Sequence, residues 1–146
     1  MTQALVTLDL AREAGIQRIV YFSVFNSALF EDVPHFAGKY LVERVIDTQA
    51  IHATVLRPAY FMQNDLMFRD ALKAGIYPQP IGDVGVTMVD IREIADAAAA
   101  ELLRRERASH PLPCTTIELV GSRHAEPDGG SGDLGLRARK GASLRR

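Results

Sequence analysis

The chain alternates between segments with helical apolar spacing and short runs of β-branched and aromatic residues, and this alternation most constrains its fold. Residues 3–14 carry apolar side chains at helical spacing and stop at Gly15, which accepts the left-handed conformation of a helix end. Residues 18–23 then have the composition of a strand buried on both faces of a parallel sheet. A helix followed by a buried strand is half of a βαβ unit.

The alternation continues as far as Gly121. Further helices are predicted over 35–48, 60–74 and 91–107, and further strands over 53–57, 84–89 and 115–120. Asp90 and Glu93 have the spacing of a capping box at the start of the last helix. Because strands alternate with helices, we predict an α/β fold with a mainly parallel sheet and right-handed crossovers.

Length and composition fit one ordinary globular domain. The chain has 146 residues, of which 47% are apolar and 24% charged. Its formal charge of −1 argues against nucleic acid or an anionic membrane surface as the principal partner. There is no apolar run of the roughly 18 residues that a membrane span needs, so we expect a cytoplasmic protein. Cys114 is the only cysteine and is predicted to be a buried or half-buried small apolar residue.

The composition changes after Gly121. Residues 122–146 contain five of the eleven glycines, and six basic minus three acidic residues give them a formal charge of +3. A segment so poor in large apolar groups cannot offset the entropy lost on ordering. We therefore predict one domain over 1–121 and a disordered basic Gly/Arg-rich tail over 122–146. The tail lacks the aromatic residues that stack on nucleic acid bases.

His35 and Lys39 stand four residues apart in a segment predicted to be helical. On a helix, side chains at i and i+4 share one face, with about 5 to 6 Å between their Cβ atoms. An imidazole and an ammonium placed in this way can meet one ligand from the same side. The alternative interpretation is an ordinary solvated helix face.

Arginines mark two further features of the sequence. Arg57 and Pro58 end a predicted strand at its carboxyl edge, where ligands bind in open α/β sheets. A direct ligand role for Arg57 and a role as a buried-stem arginine bound to local carbonyls remain equal alternatives.

The last turn of the predicted final helix contains Arg104, Arg105 and Arg107. We expect these three side chains to be solvated and to complement the helix dipole.

Four linked motifs, over 14–23, 35–39, 54–64 and 89–95, together resemble the NmrA-like family of atypical short-chain dehydrogenase/reductases. The resemblance runs from about Gln3 to Gly121. It implies a Rossmann fold that binds NADP or NAD and a small-molecule substrate. Ser23 would line the nicotinamide side at the end of a central strand. His35 stands where ordinary short-chain dehydrogenases have the catalytic tyrosine, and Lys39 matches the lysine that holds the nicotinamide ribose.

The resemblance also implies which residues form the site. Ser23, His35 and Lys39 are the catalytic candidates. The cofactor would contact Ser23, Lys39, Arg57, Pro58, Tyr60 and Phe61, and the substrate would contact Met62 and Asn64. An imidazole can transfer a proton near neutral pH, but it is a different acid from a phenol, so the standard reductase mechanism does not transfer intact.

The glycine-rich phosphate-binding turn of the family is absent before the first predicted strand. We therefore predict an incomplete doubly wound Rossmann-like parallel sheet that lacks the N-terminal glycine-rich βαβ half. A strand that would be central then presents an unpaired edge, which favours self-association. The sequence favours a reductase fragment with weak or no activity on its own. The alternatives are a non-catalytic dinucleotide-sensing regulator that acts through a protein partner, and a remnant with neither property.

Overall fold

The structure is a computed structural model that describes residues 2–79, 85–121 and 139–140. Its helices are α1 (Thr2–Glu13), α2 (Pro34–Thr48), α3 (Arg69–Lys73) and α4 (Ile91–Arg107). Its strands are β1 (Ile19–Phe22), β2 (Ala53–Pro58), β3 (Tyr60–Phe61), β4 (Met88–Val89), β5 (Thr115–Leu119) and β6 (Arg139–Lys140). Two 3-10 helices lie at Ser27–Phe30 and Met62–Phe68.

The main sheet contains three parallel strands in the order β1, β2, β5, and β6 pairs antiparallel with β5. Tyr21 lies opposite Val55, and Leu56 lies opposite Ile117. Within the described part of the chain, no strand pairs with the outer edge of β1. The prediction of a mainly parallel α/β sheet, as in an incomplete Rossmann-like fold, is confirmed.

Helices cover both faces of this sheet. Neighbouring residues of a strand point to opposite faces, and Val55 and Leu56 of β2 accordingly lie in different apolar clusters. Val55 packs with residues of α1 and α2, including Leu8, whereas Leu56 packs with α4 through Ile94. Leu56 is fully buried, a burial that contributes about 1.5–3 kcal/mol for a side chain of this size. Half-buried Cys114 packs against the first cluster, as expected.

The start of α4 is capped as predicted. The Asp90 carboxylate accepts a hydrogen bond from the backbone N–H of Arg92 at 2.8 Å. The Glu93 carboxylate accepts one from the backbone N–H of Asp90 at 3.2 Å, which completes the capping box. The backbone N–H groups of Asp90 and Arg92 are thus bound by the capping box.

The end of α4 corrects the prediction that its arginines are solvated. Arg105 is only 2% exposed and donates to Thr54 Oγ1 at 2.7 Å. It also donates to the carbonyls of Leu112 and Pro113, each at 3.0 Å. Arg104 and Arg107 are exposed, as expected. Arg105 is buried because it lies on the same helical face as Ile94 and Glu101, and this face packs on β2.

The segment 60–74 is only partly the predicted helix. Tyr60 and Phe61 form β3, which pairs in parallel with Met88 and Val89 of β4. The extended conformation persists after β2 because the backbone N–H of Tyr60 finds the carbonyl of Thr87 at 3.2 Å. A 3-10 helix and α3 follow, and Gly75, with φ of 77°, ends the segment as predicted.

Parts of two other predictions lie outside the described residues. Of the strand predicted over 84–89, residue 84 is not described, residues 85–87 are outside any strand, and only Met88–Val89 form one. Of the predicted tail, the structure describes only Arg139–Lys140, which pair with Ile117 and Glu118 of β5. No helix among the described residues is long and apolar enough to cross a membrane. Those residues also contain no cluster of potential metal ligands.

Candidate functional site

The carboxyl ends of β1, β2 and β5 meet at one edge of the sheet because the strands are parallel. Ser23 follows β1, Arg57 and Pro58 end β2, and Glu118 lies near the end of β5. Helix α2 passes this edge with His35, Lys39 and Glu43 at successive four-residue intervals, which is the spacing of one helical face. We call this edge, together with this face of α2, the strand-end site.

Lys39 is bound to the end of β1. Its Nζ donates a hydrogen bond to the carbonyl of Phe22, the residue before Ser23, at 2.7 Å. The same ammonium stands 5.3 Å from the centroid of the Tyr21 ring, within cation–π range. Burial, together with the negative charge of Glu43, raises the pKa of Tyr21 to about 12. The cation therefore lies at the strand edge beside a neutral phenol.

Glu43 is the buried centre of the strand-end site, and none of the sequence motifs pointed to it. Its carboxylate accepts hydrogen bonds from the hydroxyls of Ser23 and Ser27, the latter at 3.0 Å. Both of its oxygens also accept from Arg57 Nε, at 3.1 and 3.2 Å. The signal that could have revealed Glu43 is its position four residues after Lys39.

Arg57 is held by two carboxylates. Besides Glu43, it contacts Glu118, with 3.1 Å between Arg57 Nη1 and Glu118 Oε1. Burial opposes the charged form, but the hydrogen bonds and charges of Glu43 and Glu118 raise the pKa of Arg57 above its ordinary value. The alternative of a buried-stem arginine bound to local carbonyls was wrong about the partners, which are carboxylates. Three of the five guanidinium N–H groups face these carboxylates, so two are left for another acceptor.

His35 lies at the exposed start of α2, one turn before Lys39. Its ring packs edge-on against Phe36, with 5.5 Å between ring centroids. No described residue forms a hydrogen bond with this imidazole. The structure thus brings Ser23, Lys39, Arg57 and Pro58 together at the strand ends and leaves His35 at the solvent side of the same helix.

The segment predicted to contact the substrate lies beyond β2. Tyr60 Oη and Tyr77 Oη both donate to the carboxylate of Asp65, at 3.0 and 3.1 Å. Desolvation and these hydrogen bonds raise the pKa of both phenols. Asn64 is exposed and forms no hydrogen bond with described residues, whereas neighbouring Gln63 accepts from the backbone N–H of Ile91 at 3.1 Å.

A shallow cavity of about 390 Å³ opens on this segment. Its lining is Met62, Asp65, Leu66, Arg69, Leu72 and Lys73. The cavity lies on the carboxyl side of β5, since a Cβ added at Gly121 would stand 3.6 Å from the Met62 side chain. The same added atom would stand 2.7 Å from the carbonyl of Met88, so only glycine fits at 121. Of the predicted substrate contacts, Met62 lines the cavity and Asn64 does not.

The strand-end site fits the nicotinamide and ribose half of a dinucleotide. Lys39 keeps ammonium donors beyond the one bound to Phe22, and Arg57 keeps two N–H groups, so ribose hydroxyls could be held there. A pyrophosphate needs free amides at a helix N-terminus. At the start of α4, the N–H of Ile91 is bound by Gln63 and that of Arg92 by Asp90, and α2 begins with Pro34, which has no N–H. The described residues therefore provide no phosphate cradle.

Comparisons with known proteins show the family of this chain. The model of the NmrA-like family matches residues 3–117. This chain belongs to the NmrA-like family. It is also 30% identical over 118 residues to the NAD(P)H azoreductase of Xenophilus azovorans. The alignment covers 79% of this chain and 40% of that relative, so the chain spans less than half of the relative's length. The family predicted from the four sequence motifs is confirmed, and with it the coarse expectation of a family that binds NAD(P).

Proposed function

We propose that this chain forms the nicotinamide-facing part of an NAD(P)H-dependent reductase site for a small organic acceptor. The observation that carries the proposal is Lys39, which is bound to the end of β1 beside Ser23 and Arg57. Family membership and the name of the azoreductase relative support the reaction class. Azo compounds and quinones are therefore the first acceptors to test.

Each residue of the site has a proposed part. NAD(P)H, when bound, supplies a hydride. Lys39 holds the ribose through its ammonium donors, and Glu43 and Glu118 hold Arg57 in place. His35 is reachable from solvent, and its imidazole is the candidate proton donor. Tyr60, Phe61 and Met62 form the wall toward the acceptor, and Asn64 remains a predicted substrate contact.

We expect weak dinucleotide binding by this chain alone. The described residues supply no phosphate cradle, and phosphate contacts at a helix N-terminus are a main source of dinucleotide affinity. We propose complete reductase activity, with its preference for NADP or NAD, only for a protein that has the full length of the azoreductase relative.

A second candidate is a non-catalytic dinucleotide-sensing regulator that acts through a protein partner. The observation that favours it is the imidazole of His35, which is exposed and receives no orienting hydrogen bond from the described residues. A general acid works best when it is held in reach of the proton acceptor. This candidate predicts dinucleotide binding without turnover.

A fluorescence titration with NADPH tests the proposal. Lys39→Met should weaken binding about tenfold or more, since it removes a charge-assisted donor. The matched control is Arg44→Met, which removes an exposed cation from the same helix and should leave affinity unchanged. Consumption of NADPH with quinone or azo acceptors then separates the reductase from the sensor. Absence of a saturable signal in the wild-type chain would exclude both.

A further inference from the structure

Glu43 determines which hydrogen bonds Ser23 can make. Arg57 has only donors, and it donates to both carboxylate oxygens of Glu43. A carboxylate paired with a guanidinium has acceptors only, and the hydroxyls of Ser23 and Ser27 are its donors. It follows that the hydroxyl proton of Ser23 points to Glu43.

The Ser23 hydroxyl can only accept any further hydrogen bond. A serine hydroxyl has one donor and two acceptor lone pairs, and here the donor is committed to Glu43. The backbone N–H of Ser23 is also used, because it donates to the carbonyl of Leu56 at 2.7 Å. The residue is 4% exposed. A ligand group that meets this side chain must be a hydrogen-bond donor.

We propose that Ser23 accepts a hydrogen bond from the carboxamide N–H₂ of the nicotinamide ring, and that Glu43 is the positioning residue that fixes this polarity. The inference rests on the proposed dinucleotide function. It gives Ser23 a role in ligand recognition and excludes it as a proton donor to the acceptor molecule, since its only hydroxyl proton is held by Glu43.

The test compares NADPH with its reduced 3-acetylpyridine analogue, in which a methyl group replaces the carboxamide N–H₂. The wild-type chain should bind NADPH about two- to twelvefold more tightly than the analogue, which is the effect of one hydrogen bond. Ser23→Ala should remove this preference. Ser27→Ala is the matched control, because it deletes another donor to Glu43 and leaves Ser23 in place.

Glu43→Gln tests the positioning role separately. The oxygen of the new carboxamide should stay with Arg57 Nη2, which places the N–H₂ group of that carboxamide at Ser23. The Ser23 hydroxyl would then be released to donate, so the preference for NADPH should fall toward one or favour the acetyl analogue. Thermal unfolding of each variant establishes that it is folded before affinities are compared.

The outcomes separate this inference from the proposed function. Equal wild-type affinities for the two dinucleotides would overturn the inference and leave the proposed function standing. Loss of the preference in Ser27→Ala as well as in Ser23→Ala would show a general effect of the network and would also overturn it. If neither dinucleotide binds, the proposed function fails, and the inference fails with it.

Discussion

The residues at the strand ends form a neutral cluster rather than a basic one. Lys39 and Arg57 contribute two positive charges, and Glu43 and Glu118 contribute two negative charges. A site for phosphate groups is usually positive, whereas a nicotinamide and its ribose need hydrogen bonds more than charge. The composition of this cluster is thus consistent with the nicotinamide end of a dinucleotide.

Only part of the cluster could be predicted from sequence. Ser23, Lys39 and Arg57 follow from motif positions at strand ends and on one helix. Glu43 and Glu118 become partners of Arg57 only when three strands and α2 meet, and sequence spacing does not give that distance. The i+4 interval from Lys39 to Glu43 was the one local signal.

Arg105 gives a prediction about stability at the residue scale. Arg105→Met should destabilise the fold by about 2–4 kcal/mol, because Thr54 and two carbonyls would lose their buried donor. The control Arg104→Met removes an exposed cation paired with Glu101 and should cost under about 1 kcal/mol. Urea unfolding measures both free energies. Equal effects of the two substitutions would contradict the structural role of Arg105.

At the scale of elements, the long capped helix α4 could be predicted from sequence, whereas the short strand β3 could not. Helix α4 begins and ends where predicted because its cap and its helical periodicity are local properties. Strand β3 was missed because Tyr60 and Phe61 depend on pairing with Met88 and Val89, which are distant in sequence. Nothing in the sequence near Tyr60 indicates that partner.

The cap of α4 supports a prediction for that element. Asp90→Ala should destabilise the protein by about 0.5–2 kcal/mol, since the backbone N–H of Arg92 loses its acceptor. Asp96→Ala changes an exposed carboxylate within the same helix and serves as the control. Thermal or urea unfolding provides the comparison. A loss as large in Asp96→Ala would show that the cap contributes nothing specific.

At the scale of the whole molecule, the outer edge of β1 supports a proposal of self-association. The backbone N–H of Ser23 points to β2, where it meets the carbonyl of Leu56. Because successive amides of a strand alternate in direction, the amide of Phe22 points to the outer edge. No described strand covers that edge, and unpaired edges favour pairing with another chain.

Phe22→Pro tests this proposal. Proline removes the outward N–H without removing a hydrogen bond to β2, so the sedimentation coefficient of concentrated protein should shift toward that of the monomer. Phe22→Ala keeps the amide and removes the same exposed ring, which makes it the control. A monomeric wild-type chain, or an equal shift in both variants, would contradict pairing through this edge.

A groove at the opposite end of the sheet serves as a control surface, where we expect no dinucleotide to bind. It has a volume of about 440 Å³, and its lining includes Arg18, Arg105 and His110. Arg18 immediately precedes β1, so this groove lies at the amino end of that strand. Ligands of open α/β sheets bind at the carboxyl ends of the strands instead.

The most direct measurement is a two-dimensional ¹H–¹⁵N NMR titration of the chain with NADPH. We predict saturable shift changes concentrated at Phe22, Ser23 and Lys39, with little change around Arg18 and His110. Saturable changes confined to the groove at Arg18 and His110, or no saturable change at any amide, would contradict a nicotinamide site at the strand ends.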